Sequence, residues 1–153
     1  MKNKIRITIG MVVTKETIYT EGFEKLVELS KRTGFVLMFI LPVPIGEWDK
    51  SDVLLEQHDI DYLRKLAKDN ANLRTDFDAN YFHYGCGAGK EILYLTPYGD
   101  VLACPFIHVI HGNIFDDSLE NIRNKILENK HYSKYHLKCL CGEDEEFIEK
   151  YIQ

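Results

Sequence analysis

The chain has 153 residues, of which 45% are hydrophobic and 28% charged, and a formal net charge of −5. Its length suits one medium domain or two small ones and is enough to enclose a real core. The acidic balance argues against nucleic acid as a main partner, since phosphate binding needs concentrated Lys and Arg, and no run approaches the roughly 18 apolar residues of a membrane span.

The opening stretch Met1-Lys2-Asn3-Lys4-Ile5-Arg6 does not read as a secretory signal, because Arg6 and Thr8 interrupt its apolar run and no small-residue cleavage site follows. A cytoplasmic location is expected, and in the cytosol clustered cysteines serve as metal ligands or redox groups more often than as disulfides. Ile5, Ile7 and Ile9 alternate with Arg6 and Thr8 ahead of Met11-Val12-Val13, which predicts a largely buried strand. Thr20 is placed to cap a helix whose inward face carries Phe23, Leu26, Val27 and Leu29, and Gly34 suits the left-handed position past its end. Phe35 to Leu41 reads as a second buried strand, stopped by Pro42 and Pro44. A helix from about Glu56 to Asp69 follows, with Ile60, Leu63, Leu66 and Ala67 toward the core, and then a short third strand over Asn72 to Asp76. This alternation predicts a parallel sheet with right-handed crossovers. Three strands and two helices do not close a barrel, and a parallel sheet normally has both faces covered, so this half reads as part of a larger α/β sheet or barrel.

Near Asp78 the composition shifts toward Gly, Tyr, His and Cys, and a domain boundary is expected between about Asp78 and Gly85. Ile92 to Ala103 predicts a β-hairpin, with Pro97 where the turn wants φ near about −65° and Gly99 where a left-handed residue is useful. Ser118 is placed to cap a helix bearing Leu119, Ile122, Ile126 and Leu127, with Asp116 and Asp117 beside its positive end. The acidic run Glu143-Asp144-Glu145-Glu146 opens a last helix carrying Phe147, Ile148, Tyr151 and Ile152; carboxylates belong in a first turn, so the run is not read as a metal site.

The chain's four cysteines, Cys86, Cys104, Cys139 and Cys141, all lie in this second half. The hairpin brings Cys86 and Cys104 near one another, and the excursion through the Ser118 helix can return Cys139 and Cys141 to the same place. Glycines at 85, 87 and 89 let the backbone wrap closely and offer amide donors to sulfur. Four thiolates complete one tetrahedral metal site or hold one iron–sulfur cluster. Cys86 to Cys104 is too wide, and Cys139-Leu140-Cys141 too narrow, for a common zinc knuckle. From ligand chemistry alone, zinc, a cluster and four unrelated thiols stay open.

The stretch Gly85-Cys86-Gly87-Ala88-Gly89, the segment Ile92 to Phe106 with Gly99, Cys104 and Pro105, and then Gly112-Asn113-Ile114, resembles the auxiliary-cluster region of radical SAM enzymes, the SPASM domain or its shorter relative, the twitch domain. Ile5 to Val13 and Phe35 to Trp48 look like late βα units of the radical SAM partial barrel. The resemblance implies an α/β portion over residues 1–80, a partial parallel βα sheet or incomplete barrel, followed by a small α+β domain over 81–153, a cysteine-rich hairpin and helix of twitch type. It implies that Cys86, Cys104, Cys139 and Cys141 hold one auxiliary 4Fe-4S cluster, for electron transfer or substrate positioning, in an oxidoreductase whose intact form cleaves S-adenosylmethionine. The Cys-x₃-Cys-x₂-Cys motif that serves that cleavage is absent from the sequence, so this chain alone is not expected to be catalytically competent. Its expected partners are a separate N-terminal radical SAM half or a second copy of the chain, and a redox donor protein. A zinc-stabilised or metal-free binding module is the alternative from another class.

Other residues invite plainer readings. Gly85 to Lys90 lacks the Gly-Lys-Ser/Thr ending of a phosphate loop. His108 and His111 follow Cys104 and are expected to be solvent-facing or hydrogen-bonded. Asp76 and Asp78 close the third strand, where a turn or capping role is expected, and Glu47 with Trp48 follows the second strand, where the indole can cover apolar surface.

Overall fold

The computed structural model describes residues 5–49, 52–76 and 85–152. The boundary expected between Asp78 and Gly85 therefore lies almost wholly outside the described residues, as does Asp78 itself.

The first half is a three-stranded parallel sheet in the order β1-β2-β3, from Thr8–Val12, Val36–Ile40 and Leu73–Thr75. Helices α1 (Glu21–Thr33) and α2 (Gln57–Asp69) make the two crossovers. Helix α1 begins as its sequence requires: the Thr20 hydroxyl accepts from the Phe23 amide at 3.2 Å, and Gly34 ends it at φ 78°. Helix α2 is closed by a reciprocal capping box between Glu56 and Asp59. Phe23 and Val27 of α1, Ile60 and Leu63 of α2, and Leu37, Phe39 and Leu73 of the strands form one core. The Phe23 and Phe39 rings lie 5.5 Å apart within it.

Both helices pack on this one face. The expectation that β1 is largely buried fails for that reason: Thr8, Gly10 and Val12 are exposed, as are Ile5 and Ile7 ahead of them, and only Val13 is fully buried. Among the described residues the sheet stays three-stranded and open.

The second half is a three-stranded antiparallel sheet, β4-β5-β6, from Tyr94–Leu95, Asp100–Cys104 and Ile107–Asn113. The hairpin turn forms at Pro97 and Gly99, whose amide donates to the Thr96 carbonyl at 3.0 Å and whose φ is 86°. The third strand, β6, is not in the sequence expectation. It pairs with β5 through two irregularities, between Val101 and Leu102 and between Leu102 and Cys104. Helix α3 (Leu119–Glu128) is capped by Ser118 and packs Ile122 and Ile126 into a second core. Leu119, in the first turn of the same helix, is 50% exposed. Helix α4 (Glu145–Tyr151) is capped by Asp144 and buries Phe147 and Ile148 in the same core. Among the described residues no helix is long and apolar enough to cross a membrane.

Candidate metal centre

The four cysteines come from three segments that the fold draws together. Cys86 enters the hairpin, and its amide donates to the His136 carbonyl at 2.8 Å, tying the hairpin entry to the tail beyond α3. The Gly89 amide donates to both the Ile92 and Ala103 carbonyls at 2.9 Å, sewing the glycine-rich loop to the strand that ends in Cys104. Cys139 and Cys141 lie in a tight turn closed by the Glu143 amide donating to the Cys139 carbonyl at 2.9 Å. Lys90 cinches the tail: its ammonium donates to the Tyr132 carbonyl at 2.9 Å and the Lys134 carbonyl at 2.7 Å. That use of Lys90 also rules out its service in a phosphate loop.

All four thiols line one cavity of about 150 Å³. Its remaining walls include Ile92, Pro105 and Phe106 from the second half and Leu41, Val43 and Asp76 from the carboxyl ends of the parallel strands. The Cys139 and Cys141 sulfurs are 3.6 Å apart. Backbone amides are turned on the others: Leu140 and Ala88 donate to the Cys86 sulfur, and Phe106 and Ile107 to that of Cys104. Among the described residues no three His, Cys, Asp or Glu side chains are gathered to hold a single metal ion; the thiols stand along the walls of a space instead.

Burial, with the neighbouring Cys139, pushes the Cys86 thiol up to about 11. The hydrogen bond from Cys141 lowers Cys104, and the same bond, with that to Cys139 and burial, raises Cys141 well above the usual thiol range.

The other sequence candidates fall as follows. Asp76 reaches the cavity, and its amide extends the sheet by donating to the Phe39 carbonyl at 3.0 Å, so it does more than cap a turn. His108 is exposed on β6. His111 is half-buried: its Nε2 is buried without a hydrogen-bond partner, its ring stands edge-on to Tyr132 at 5.4 Å, and burial lowers its pKa. Trp48 is 40% exposed beside Thr14, Lys15 and Asp52, away from the thiols.

Two residues of the site escaped the sequence. Glu143, read with the acidic run, lies ahead of α4 and its side chain is 1% exposed. One of its oxygens accepts from the Cys139 amide at 2.8 Å and from Arg64 of α2 at 3.1 Å. Arg64 lies 79 residues from Glu143, so no local pattern announces the pair.

Residues 86–143 match the SPASM family, an iron–sulfur cluster-binding domain. The chain is also 30% identical to the mycofactocin maturase MftC of Mycolicibacterium smegmatis (strain ATCC 700084 / mc(2)155), in an alignment covering 71% of this chain and 32% of that protein. The chain thus spans about a third of the length of the curated relative it matches. No solved structure matches it. A donor set of four thiols around one cavity, with amides aimed at sulfur, is chemically suited to the group that the SPASM family binds. Through residues 86–143 the chain is thus similar to the SPASM-containing radical SAM proteins.

Proposed function

We propose that this chain holds one auxiliary 4Fe-4S cluster of a radical SAM oxidoreductase, with Cys86, Cys104, Cys139 and Cys141 as its ligands. The observation that carries this reading is the shared cavity: four thiols from three separate segments, all on its walls. When bound, a cluster with every iron on a thiolate supplies a one-electron relay, and hydrogen bonds to its sulfurs tune its potential. The amides of Ala88, Leu140, Phe106 and Ile107 are the donors this chain offers for that tuning. Leu41, Val43, Ile92, Pro105 and Phe106 line the same space with apolar surface and limit water around the sulfurs. The four-cysteine count fits a twitch-type arrangement over residues 81–153, beside a partial barrel segment over 1–80. The relative is named a maturase, and conversion of a precursor is the class of reaction we assign to the whole protein.

Zinc is the second reading. The 3.6 Å between the Cys139 and Cys141 sulfurs approaches the about 3.8 Å that two thiolates show on a tetrahedral zinc. Anaerobic reconstitution of the full chain separates the two. About four irons and as many sulfides per chain, with visible absorbance that dithionite bleaches, support the cluster. One zinc per chain without sulfide rejects it.

A further inference from the structure

We propose that Glu143 is the positioning residue of the thiol cavity, setting the Cys139-Leu140-Cys141 turn and fastening it to the parallel-sheet half through Arg64. The turn is closed twice between the same two residues. The Cys139 amide donates to the Glu143 carboxylate at 2.8 Å, and the Glu143 amide donates back to the Cys139 carbonyl at 2.9 Å. These bonds form a ring with Cys141 inside it, so the direction of both thiols depends on where the carboxylate stands. That carboxylate has no freedom of its own. Its side chain is 1% exposed, and Arg64 Nη2 holds the same oxygen at 3.1 Å while also reaching the Leu137 carbonyl at 3.4 Å. The second oxygen, Oε1, is buried with no hydrogen-bond partner. A buried carboxylate with one oxygen unsatisfied is costly, and it persists where the surrounding structure needs it.

Packing makes the same connection. Gly142 lies against Leu41, where an added Cβ would come within 3.1 Å of Leu41 Cδ1. Leu41 in turn lines the thiol cavity, and Cys139 packs against both cores. The turn is therefore seated on the parallel-sheet half by one polar and one apolar contact.

The test uses the full chain with Glu143→Ala, Glu143→Gln and Arg64→Ala. Its first arm needs no metal: iodoacetamide labelling of the apo-protein, resolved by peptide mass spectrometry, with Cys86 and Cys104 as references in the same molecule. Glu143→Ala speeds labelling of Cys139 and Cys141 about tenfold, as expected for losing a hydrogen bond to a charged group, and Arg64→Ala gives a smaller rise. Glu143→Gln, which still accepts from the Cys139 amide, stays within about threefold of wild type. The second arm rests on the cluster reading above. After anaerobic reconstitution Glu143→Ala retains less iron and shows an altered spin-resonance spectrum, while Glu143→Gln retains iron at a raised reduction potential, one negative charge having been removed beside the thiolates. Wild-type protein that takes up no iron and sulfide sinks the cluster reading, and the labelling contrast then decides the role of Glu143 alone. Glu143→Ala protein that labels like wild type overturns the proposal.

Discussion

Gly85 and His136 touch backbone to backbone: a Cβ on Gly85 would overlap the His136 carbonyl oxygen, the acceptor that the Cys86 amide reaches at 2.8 Å. With φ at 88°, Gly85 also occupies a conformation that side chains resist. Gly85→Ala is expected to destabilise the chain by about 2–4 kcal/mol, from left-handed strain plus displaced backbone. Urea unfolding measures it. A midpoint within error of wild type would mean that the hairpin entry and the tail do not meet in this way.

Asn113 shows that the resemblance motif contains builders as well as ligands. Its side-chain amide donates to the Tyr98 carbonyl at 3.0 Å and to Asp100 Oδ1 at 2.9 Å, and its Oδ1 accepts from the Phe115 amide at 2.9 Å. Asn113→Ala is expected to cost about 2–3 kcal/mol, the sum of several partly exposed hydrogen bonds. The cysteines are left in place, so iron content per folded chain stays near wild type while the thermal midpoint falls. Loss of iron without loss of stability would place Asn113 at the centre itself.

Removing the metal from reconstituted protein tests the coupling of centre to fold. A group bound only by the folded state adds about 3 kcal/mol at a hundredfold excess over its dissociation constant, or roughly 6–12 °C in a chain of this size. Oxidative stripping with a chelator is therefore expected to lower the melting temperature by that amount. Cys141→Ser, which removes the most buried of the four thiols, should abolish the difference. Equal melting curves with and without iron would detach the cavity from the fold's stability.

Alkaline pH provides a metal-free check on Cys86. Its pKa is about 11 in the folded chain against an ordinary value of 9.0, because burial, with the neighbouring Cys139, disfavours the thiolate. A raised pKa means that the folded state holds the proton more tightly than the unfolded one. The contribution is complete below about pH 9 and is lost as pH rises toward 11, on the order of 2 kcal/mol in all. Apo wild type should thus lose stability across that window more steeply than Cys86→Ser. Denaturant midpoints taken at half-unit steps of pH give the comparison, and parallel curves would refute it.

What the sequence revealed was local. Thr20 and Ser118 cap their helices as their patterns require, and the βαβαβ order follows from alternating periods. The convergence of the cysteines was legible because a hairpin with Pro97 and Gly99 must fold back on itself. What stayed hidden depended on distant chain. Strand β6 buries Ile107 and half-buries Val109 but sets the apolar Ile110 on the outward face at 61% exposure, so its sequence lacks a clean apolar–polar alternation. Glu143 looked like one more carboxylate in a helix's first turn, and only Arg64 makes it a buried one. The open outer face of β1 was misread because alternation reports a face but not whether anything covers it.

The cavity walls come from both sheets, with Leu41, Val43 and Asp76 on one side and the cysteine-bearing segments on the other. Whatever fills that space acts as a rivet through two plates. Air oxidation of an inorganic centre there would do more than quench a redox signal: it would loosen the joint between the halves, and protease cleavage near the joint should quicken in step with the fading colour.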